Sequence, residues 1–315
     1  MPILNEMHYD SCNFKNKIYV RIWKPDTEPV GIVQICHGLG EHICRYDDLA
    51  NFLASNGYIV IGHDHLGHGK TINDSSEYGY VGDVEGWDLM LMDMRKLFEK
   101  TREEYPDLPH FIFGHSMGSF MSRAYIIRFH DGPDGVILSG TGERGPVTTA
   151  AGKGISRLIM KVKGADYRSE FLRKLGFGAY NKRIEDCKSD YDWLSRDSEV
   201  VKAYNEDPLC GGTSTAGLFY ALIKGMKEIG SDLNYMRVNK DLPIYIYSGE
   251  ADPVGDYGKA VRQTYDRYLK AGVKDVEFKL YPDMRHECHN ELGRETVYNE
   301  ILIWLEKKRA MIGAK

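Results

Sequence analysis

No stretch of this 315-residue chain approaches the run of about 18 consecutive apolar residues that a membrane-crossing helix requires. The opening residues, Met1-Pro2-Ile3-Leu4-Asn5-Glu6, offer neither the basic nor the apolar segment of a secretory signal, so a cytoplasmic protein that is not exported is expected. Cationic excess is missing too. Lys and Arg number 41 against 46 Asp and Glu, for a formal net charge of −5 with both signs interspersed, which argues against a nucleic-acid partner or a polybasic lipid anchor. The six cysteines (Cys12, Cys36, Cys44, Cys187, Cys210 and Cys288) form no C-x-x-C pair, and a chain of this size needs no disulfide staples; reduced thiols are expected. Repeats, low-complexity tracts and flexible linkers are absent as well.

What is present is an alternation of short apolar strands and amphipathic helices. Strand character falls on residues 18–22, 31–36, 58–61, 111–113, 136–138, 244–247 and 276–280, mostly bounded by Gly, Pro or Asp. Trp87, Met90, Met94, Leu97 and Phe98 follow one helical face, as do Val297, Ile301, Trp304 and Leu305. This pattern predicts an α/β fold with a mainly parallel sheet covered by helices on both faces. Strand signals vanish between 141 and about 238, where Phe219, Leu222, Ile223 and Met226 have the spacing of a helix stripe. The expected organisation is a core formed by 1–140 and 239–315, interrupted by a helical cap at 141–238.

The segment Gly114-His115-Ser116-Met117-Gly118 follows a strand and precedes a helix, which is the setting of a nucleophile elbow. A serine hydroxyl needs a base to take its proton and a third group to orient that base and stabilise its charge. In sheets of this type both partners follow the serine, on loops at the carboxyl ends of later strands. The strand at 276–280 leads to His286, which is the candidate base. The strand at 244–247 leads to Glu250, Asp252 and Asp256. Asp252 lies far enough beyond the strand to fold back toward an imidazole, and Pro253 keeps it extended; Glu250 is the next choice.

Two backbone donors must face the oxyanion of the tetrahedral intermediate. Met117, the residue after the serine, supplies one, and Leu39 within Cys36-His37-Gly38-Leu39-Gly40 is the candidate for the other. The loop His63 to Thr71 imitates a phosphate-binding loop, but that frame needs glycine where Asp64 stands. Its histidines, His63, His65 and His68, read as turn-stabilising side chains, and His286, Cys288 and His289 do not have a zinc spacing. No metal and no cofactor are expected.

The ordered set His37-Gly38-Leu39-Gly40-Glu41-His42 with Arg45-Tyr46, Asp64-His65-Leu66-Gly67-His68-Gly69, Gly114 to Gly118, Ser248-Gly249-Glu250-Ala251-Asp252-Pro253 and Arg285-His286-Glu287 with Asn290-Glu291 resembles the monoacylglycerol lipase and lysophospholipase family of α/β-hydrolases. Trp193-Leu194-Ser195-Arg196-Asp197 and Asp207-Pro208-Leu209-Cys210 resemble its bacterial members. The resemblance implies a triad of Ser116, Asp252 and His286. It departs at Ser119, where the family commonly has a second glycine, and at Leu39, where a small residue is usual. It also implies an ester of glycerol or a lysophospholipid as the small-molecule substrate. Phe219 and Met226 in the cap are then candidates to hold the acyl chain, and Glu41, Arg45 and Tyr46 to bind its polar head. Transient contact of the cap with a membrane surface is part of that expectation. A short-chain esterase, a serine aminopeptidase of the S33 type and a hydrolase-fold binding protein are the alternatives.

Overall fold

A computed structural model describes residues 2–313. Its centre is an eight-stranded sheet in the order β1-β2-β4-β3-β5-β6-β7-β8. The strands are β1 (Ile3–Asp10), β2 (Lys17–Lys24), β3 (Gly31–Cys36), β4 (Tyr58–His63), β5 (His110–His115), β6 (Gly135–Ser139), β7 (Ile244–Gly249) and β8 (Val276–Tyr281). β1 to β2 and β2 to β4 pair antiparallel, and every other neighbour is parallel. The central strands β3 to β7 are buried along their whole length, which is why they read as continuous apolar runs. β1 gave no such signal. Its residues are exposed except for Tyr9, and its apolar Ile3, Leu4 and Met7 fall on both faces of this edge strand, so no hydrophobic alternation marks it.

Helices cover both faces. α1 (Asp47–Ser55) and the C-terminal helix Arg294–Gly313 pack on one side through Leu49, Leu53, Val297, Ile301, Trp304 and Leu305. On the other lie α2 (Gly86–Glu104) and α3 (Met117–Arg128), with Trp87, Met90, Met94, Met121 and Tyr125 in a second apolar cluster. Between β6 and β7 the chain is helical: α4 (Pro146–Lys163), α5 (Glu170–Phe177), α6 (Ser198–Glu206), α7 (Ala216–Ile229) and the single turn α8 (Asp232–Tyr235). α9 (Lys259–Lys270) and α10, the helix Arg294–Gly313 named above, complete the fold.

α7 faces several environments at once. Leu218, Ala221, Leu222 and Ile229 join the sheet-side core, while Phe219 turns the other way onto Leu172 and Phe177 of α5. Phe219, Leu222 and Met226 therefore do not form one stripe, because a helix held between core and cap is apolar around most of its circumference. Asp64 shapes the loop after β4, its carboxylate accepting from the backbone N–H of Ile43 and of Lys70, each at 2.7 Å. The loop is held by its own aspartate.

Candidate active site

Ser116 stands at the turn from β5 into α3 with φ 53° and ψ −118°, a left-handed conformation in a residue that is not glycine. Such strain survives only where the surroundings enforce it. A Cβ on Gly118 would lie 1.9 Å from the carbonyl oxygen of Cys36, and one on Gly114 would lie 2.5 Å from that of Gly118. Both flanking glycines are thus required for the first turn of α3 to close against β3 and β5. Ser119, where the family pattern has glycine, uses its hydroxyl to donate to the Ser116 carbonyl at 2.6 Å and so tightens the elbow.

His286 and Asp252 arrive from the loops after β8 and β7, separated in sequence but adjacent in space. His286 Nδ1 lies 3.0 Å from Asp252 Oδ1, although the ring N–H is not in line with that oxygen in this arrangement. Burial pushes the Asp252 carboxyl up, but His286, the Ser248 hydroxyl at 2.6 Å and the Val254 N–H at 2.8 Å outweigh it and hold the group below the usual carboxylate range. Glu250 is exposed, as is Asp256. The ring of His286 is packed between His115, at 4.6 Å between centroids, and Trp193 at 5.0 Å. Burial, with the adjacent His286, keeps the imidazole of His115 well below its ordinary range, so a neutral ring lies against the candidate base. Gly140, with φ +57°, lets the ring in: a Cβ there would sit 2.8 Å from His286 Cε1.

Trp193 entered the sequence reading only through a family-like motif, and its setting shows what that motif does. The backbone N–H of Glu287 donates to Leu194 O at 2.8 Å, Arg285 donates to the carbonyls of Asp192 and Ser195, and Arg196 pairs with Glu291 at 3.0 Å. The cap segment 192–196 and the histidine loop are one hydrogen-bonded unit. Nothing in the one-dimensional spacing announces this, since Arg285 and its two carbonyl partners are 93 and 90 residues apart.

A cavity of about 650 Å³ opens above the serine, lined by Leu39, Glu41, Ser116, Met117, Met226 and His286 among others. Leu39 and Met117, the expected oxyanion donors, both line it together with Ser116. Phe219 is outside the lining, contrary to the expectation from its helical spacing. Arg45 and Tyr46 are outside it as well, because both are consumed by a buried ion cluster beneath the Leu39 loop. Arg45 donates to Glu41 at 2.7 Å and forks onto both oxygens of Glu287 at 2.7 and 2.6 Å, and the Tyr46 hydroxyl donates to Glu41 at 2.8 Å. Glu41 in turn accepts from the Gly38 N–H, so the cluster joins the oxyanion loop to the residue after His286. Burial raises the Glu41 carboxyl, and Arg45 only partly offsets it; for Glu287 the guanidinium overrides burial and holds the group at about 2.

Replacing Arg45 by Met leaves two buried carboxylates without a counter-charge, a loss of about 3–5 kcal/mol in stability at neutral pH. Without the guanidinium both folded-state values rise above those of the unfolded chain. The deficit is then fullest at high pH and shrinks as pH falls and the carboxyls protonate. Thermal melts of wild type and Arg45→Met at pH 8 and pH 5.5 should show the gap narrowing at the lower value; an equal gap at both would mean the cluster is not held by charge.

The fold and the site define an α/β-hydrolase of the serine type. The family model described as serine aminopeptidase, S33, matches residues 27–293, and the chain belongs to that family. A monoacylglycerol lipase from Mycolicibacterium smegmatis is 30% identical over 92% of this chain and 92% of its own length. Human monoglyceride lipase is 28% identical over 94% of this chain and 89% of its own. Among solved structures, a thermostable carboxyl esterase from Bacillus coagulans, in complex with glycerol, superposes with a TM-score of 0.91 at 33% identity, covering 97% of this chain and 99% of that one. The protein is a serine carboxylic-ester hydrolase.

Proposed function

We propose that the protein hydrolyses monoacylglycerols through an acyl-enzyme on Ser116. Ser116 Oγ attacks the ester carbonyl as His286 takes its proton, and Asp252 holds the imidazole in the right tautomer and stabilises its charge. The N–H groups of Leu39 and Met117 receive the oxyanion. The tetrahedral intermediate collapses as His286 returns the proton to the departing glycerol oxygen, and water then releases the fatty acid by the same steps. No cofactor enters this chemistry.

The observation that carries the reading is the cavity, whose lining joins the apolar side chains of Leu39, Phe120, Phe177, Leu222, Met226 and Val254 to Ser116 and His286. An acyl chain laid along it gains about 0.8 kcal/mol per buried methylene, close to a fourfold rise in kcat/KM for each carbon until the space is filled. The names of the relatives and the glycerol in the B. coagulans esterase support the same substrate class. An aminopeptidase would need a carboxylate free to meet the substrate ammonium. Glu41 and Glu287 are bound to Arg45, and Asp190 at the rim is paired with Arg173 at 3.0 Å. Lys174 and Lys182, also in the lining, instead favour an anionic head group, which makes lysophospholipids the second substrate class.

Rates on monoacylglycerols from acetyl to palmitoyl, lysophosphatidylcholine and aminoacyl amides test this together. Expected is a steep rise with chain length and no amide hydrolysis. Met226→Gln should lower the preference for a long over an acetyl ester by up to about two orders of magnitude, equivalent to roughly four methylene contacts, while sparing the acetyl ester itself. A flat chain-length profile in wild type would point to a short-chain esterase.

The cap also supports contact with an anionic lipid surface. Val147, Leu158 and Val162 on α4 and Phe171 and Leu175 on α5 are 81, 63, 68, 60 and 59% exposed, with Arg157, Lys161, Lys163 and Lys174 among them. No helix of the described residues is long and apolar enough to cross a membrane. Leu158→Asp with Val162→Asp should abolish sedimentation with phosphatidylglycerol vesicles and leave hydrolysis of a soluble short ester intact. The six cysteines, all free thiols, suit a reducing compartment such as the cytoplasm.

A further inference from the structure

His42, Asp207 and Cys210 meet at the seam between the oxyanion loop and the cap. Their candidate ligand atoms all lie within 4.8 Å of one another. His42 stands two residues beyond Gly40 of the Gly38-Leu39-Gly40 turn, while Asp207 and Cys210 belong to the loop joining α6 to α7. The His42 and Cys210 side chains are almost fully buried, and the Asp207 side chain is about a third exposed, at 31%. We propose that these three residues form a binding site for a zinc-type divalent cation that straps the cap to the oxyanion loop.

The donor set carries the choice of ion. An imidazole, a thiolate and a carboxylate are the ligands zinc accepts, whereas magnesium and calcium avoid sulfur. Tetrahedral bonds of about 2.0–2.3 Å place ligand atoms roughly 3.3–3.8 Å apart. The His42 Nε2 to Asp207 Oδ2 contact, now a hydrogen bond at 2.8 Å, has to open by about half an ångström for an ion of this geometry. The part-exposed Asp207 side chain has room to do so, and Cys210 gives its proton to solvent as the ion binds. The Cys44 thiol accepts from the Arg21 guanidinium at 3.4 Å and stands outside the ligand group. Arg45 is nearby, but Glu41 and Glu287 already neutralise it.

The seam is otherwise held by hydrogen bonds from Gly211 N–H at 2.9 Å and the Tyr204 hydroxyl at 2.8 Å, both to Gly40 O. An ion there therefore adds a third tie between the cap and the loop that carries Leu39. It is independent of which ester the enzyme hydrolyses. Sequence spacing could not show the site, since His42 and Asp207 are 165 residues apart.

The test is titration of the metal-free full-length protein with Co²⁺ and Zn²⁺, using Cys187→Ser as parent so that the exposed Cys187 thiol does not bind metal. Expected is one equivalent of Zn²⁺ at micromolar affinity, a thiolate-to-cobalt charge-transfer band with Co²⁺, and a rise in Tm of about 4 °C at a hundredfold excess of Zn²⁺ over Kd. Cys210→Ser should remove the band and weaken Zn²⁺ binding at least tenfold, and Cys44→Ser should keep the band. Should Cys210→Ser not fold, Asp207→Asn gives the same decision by its loss of Zn²⁺ affinity. Absence of stoichiometric binding, which would leave His42 and Asp207 as an ion pair only, overturns the site. So does a band that survives in Cys210→Ser, or affinity unchanged in Asp207→Asn.

Discussion

Ser116→Ala should lower turnover by roughly 10⁴- to 10⁶-fold while leaving the fold intact. The substitution removes only Oγ, and alanine occupies the same backbone conformation, φ 53°, at no greater steric cost than serine. The elbow is held instead by its backbone, with Ser116 N–H donating to Ser139 O at 2.9 Å and the Ser119 hydroxyl bound to Ser116 O. Circular dichroism and Tm should therefore match wild type within error. A variant that loses activity together with its melting transition would show only that the turn had failed.

Asp252→Asn should cost up to about 10⁴-fold in turnover, since an amide neither stabilises the imidazolium nor enforces its tautomer. The side chain is fully buried, so solvent does not replace the lost charge. One of its oxygens accepts from the Ser248 hydroxyl and the other from Val254 N–H while lying near His286; an asparagine that keeps its carbonyl on Val254 N–H has to turn its NH₂ to Ser248, whose hydroxyl must then accept instead of donate. Some loss of stability, about 1–3 kcal/mol, should accompany the kinetic effect. Glu250→Gln, at an exposed position on the same loop, should be close to wild type in both respects. The reverse ranking of these two variants would make Glu250 the third member of the triad.

The sheet was readable because five central strands are buried on both faces, and the elbow because two glycines with no room for a side chain bracket a serine between strand and helix. Those features are local. Asp252 could be preferred over Glu250 from its place beyond the strand end, and the structure buries the first while exposing the second. What the sequence could not reveal was which charged residues would satisfy one another. Arg45 and Tyr46 look like head-group ligands beside a catalytic loop, yet Glu287, 242 residues away, takes both donor positions of the Arg45 fork. Phe219 failed as a cavity residue for a related reason: helical spacing reports that a side chain is apolar, and α7 has apolar neighbours on opposite sides. Trp193 against His286 and the His42, Asp207 and Cys210 cluster are likewise products of the cap folding back over the core.

The most direct measurement is trapping of the covalent intermediate. Intact-mass spectra of the full-length enzyme, taken after reaction with a fluorophosphonate and, separately, after acid quench of a long-chain monoacylglycerol reaction, should show a single adduct that maps to the peptide containing Ser116. Ser116→Ala should show none. An adduct of equal yield in Ser116→Ala, or one located on Cys210 or another nucleophile, would contradict an acyl-enzyme on Ser116.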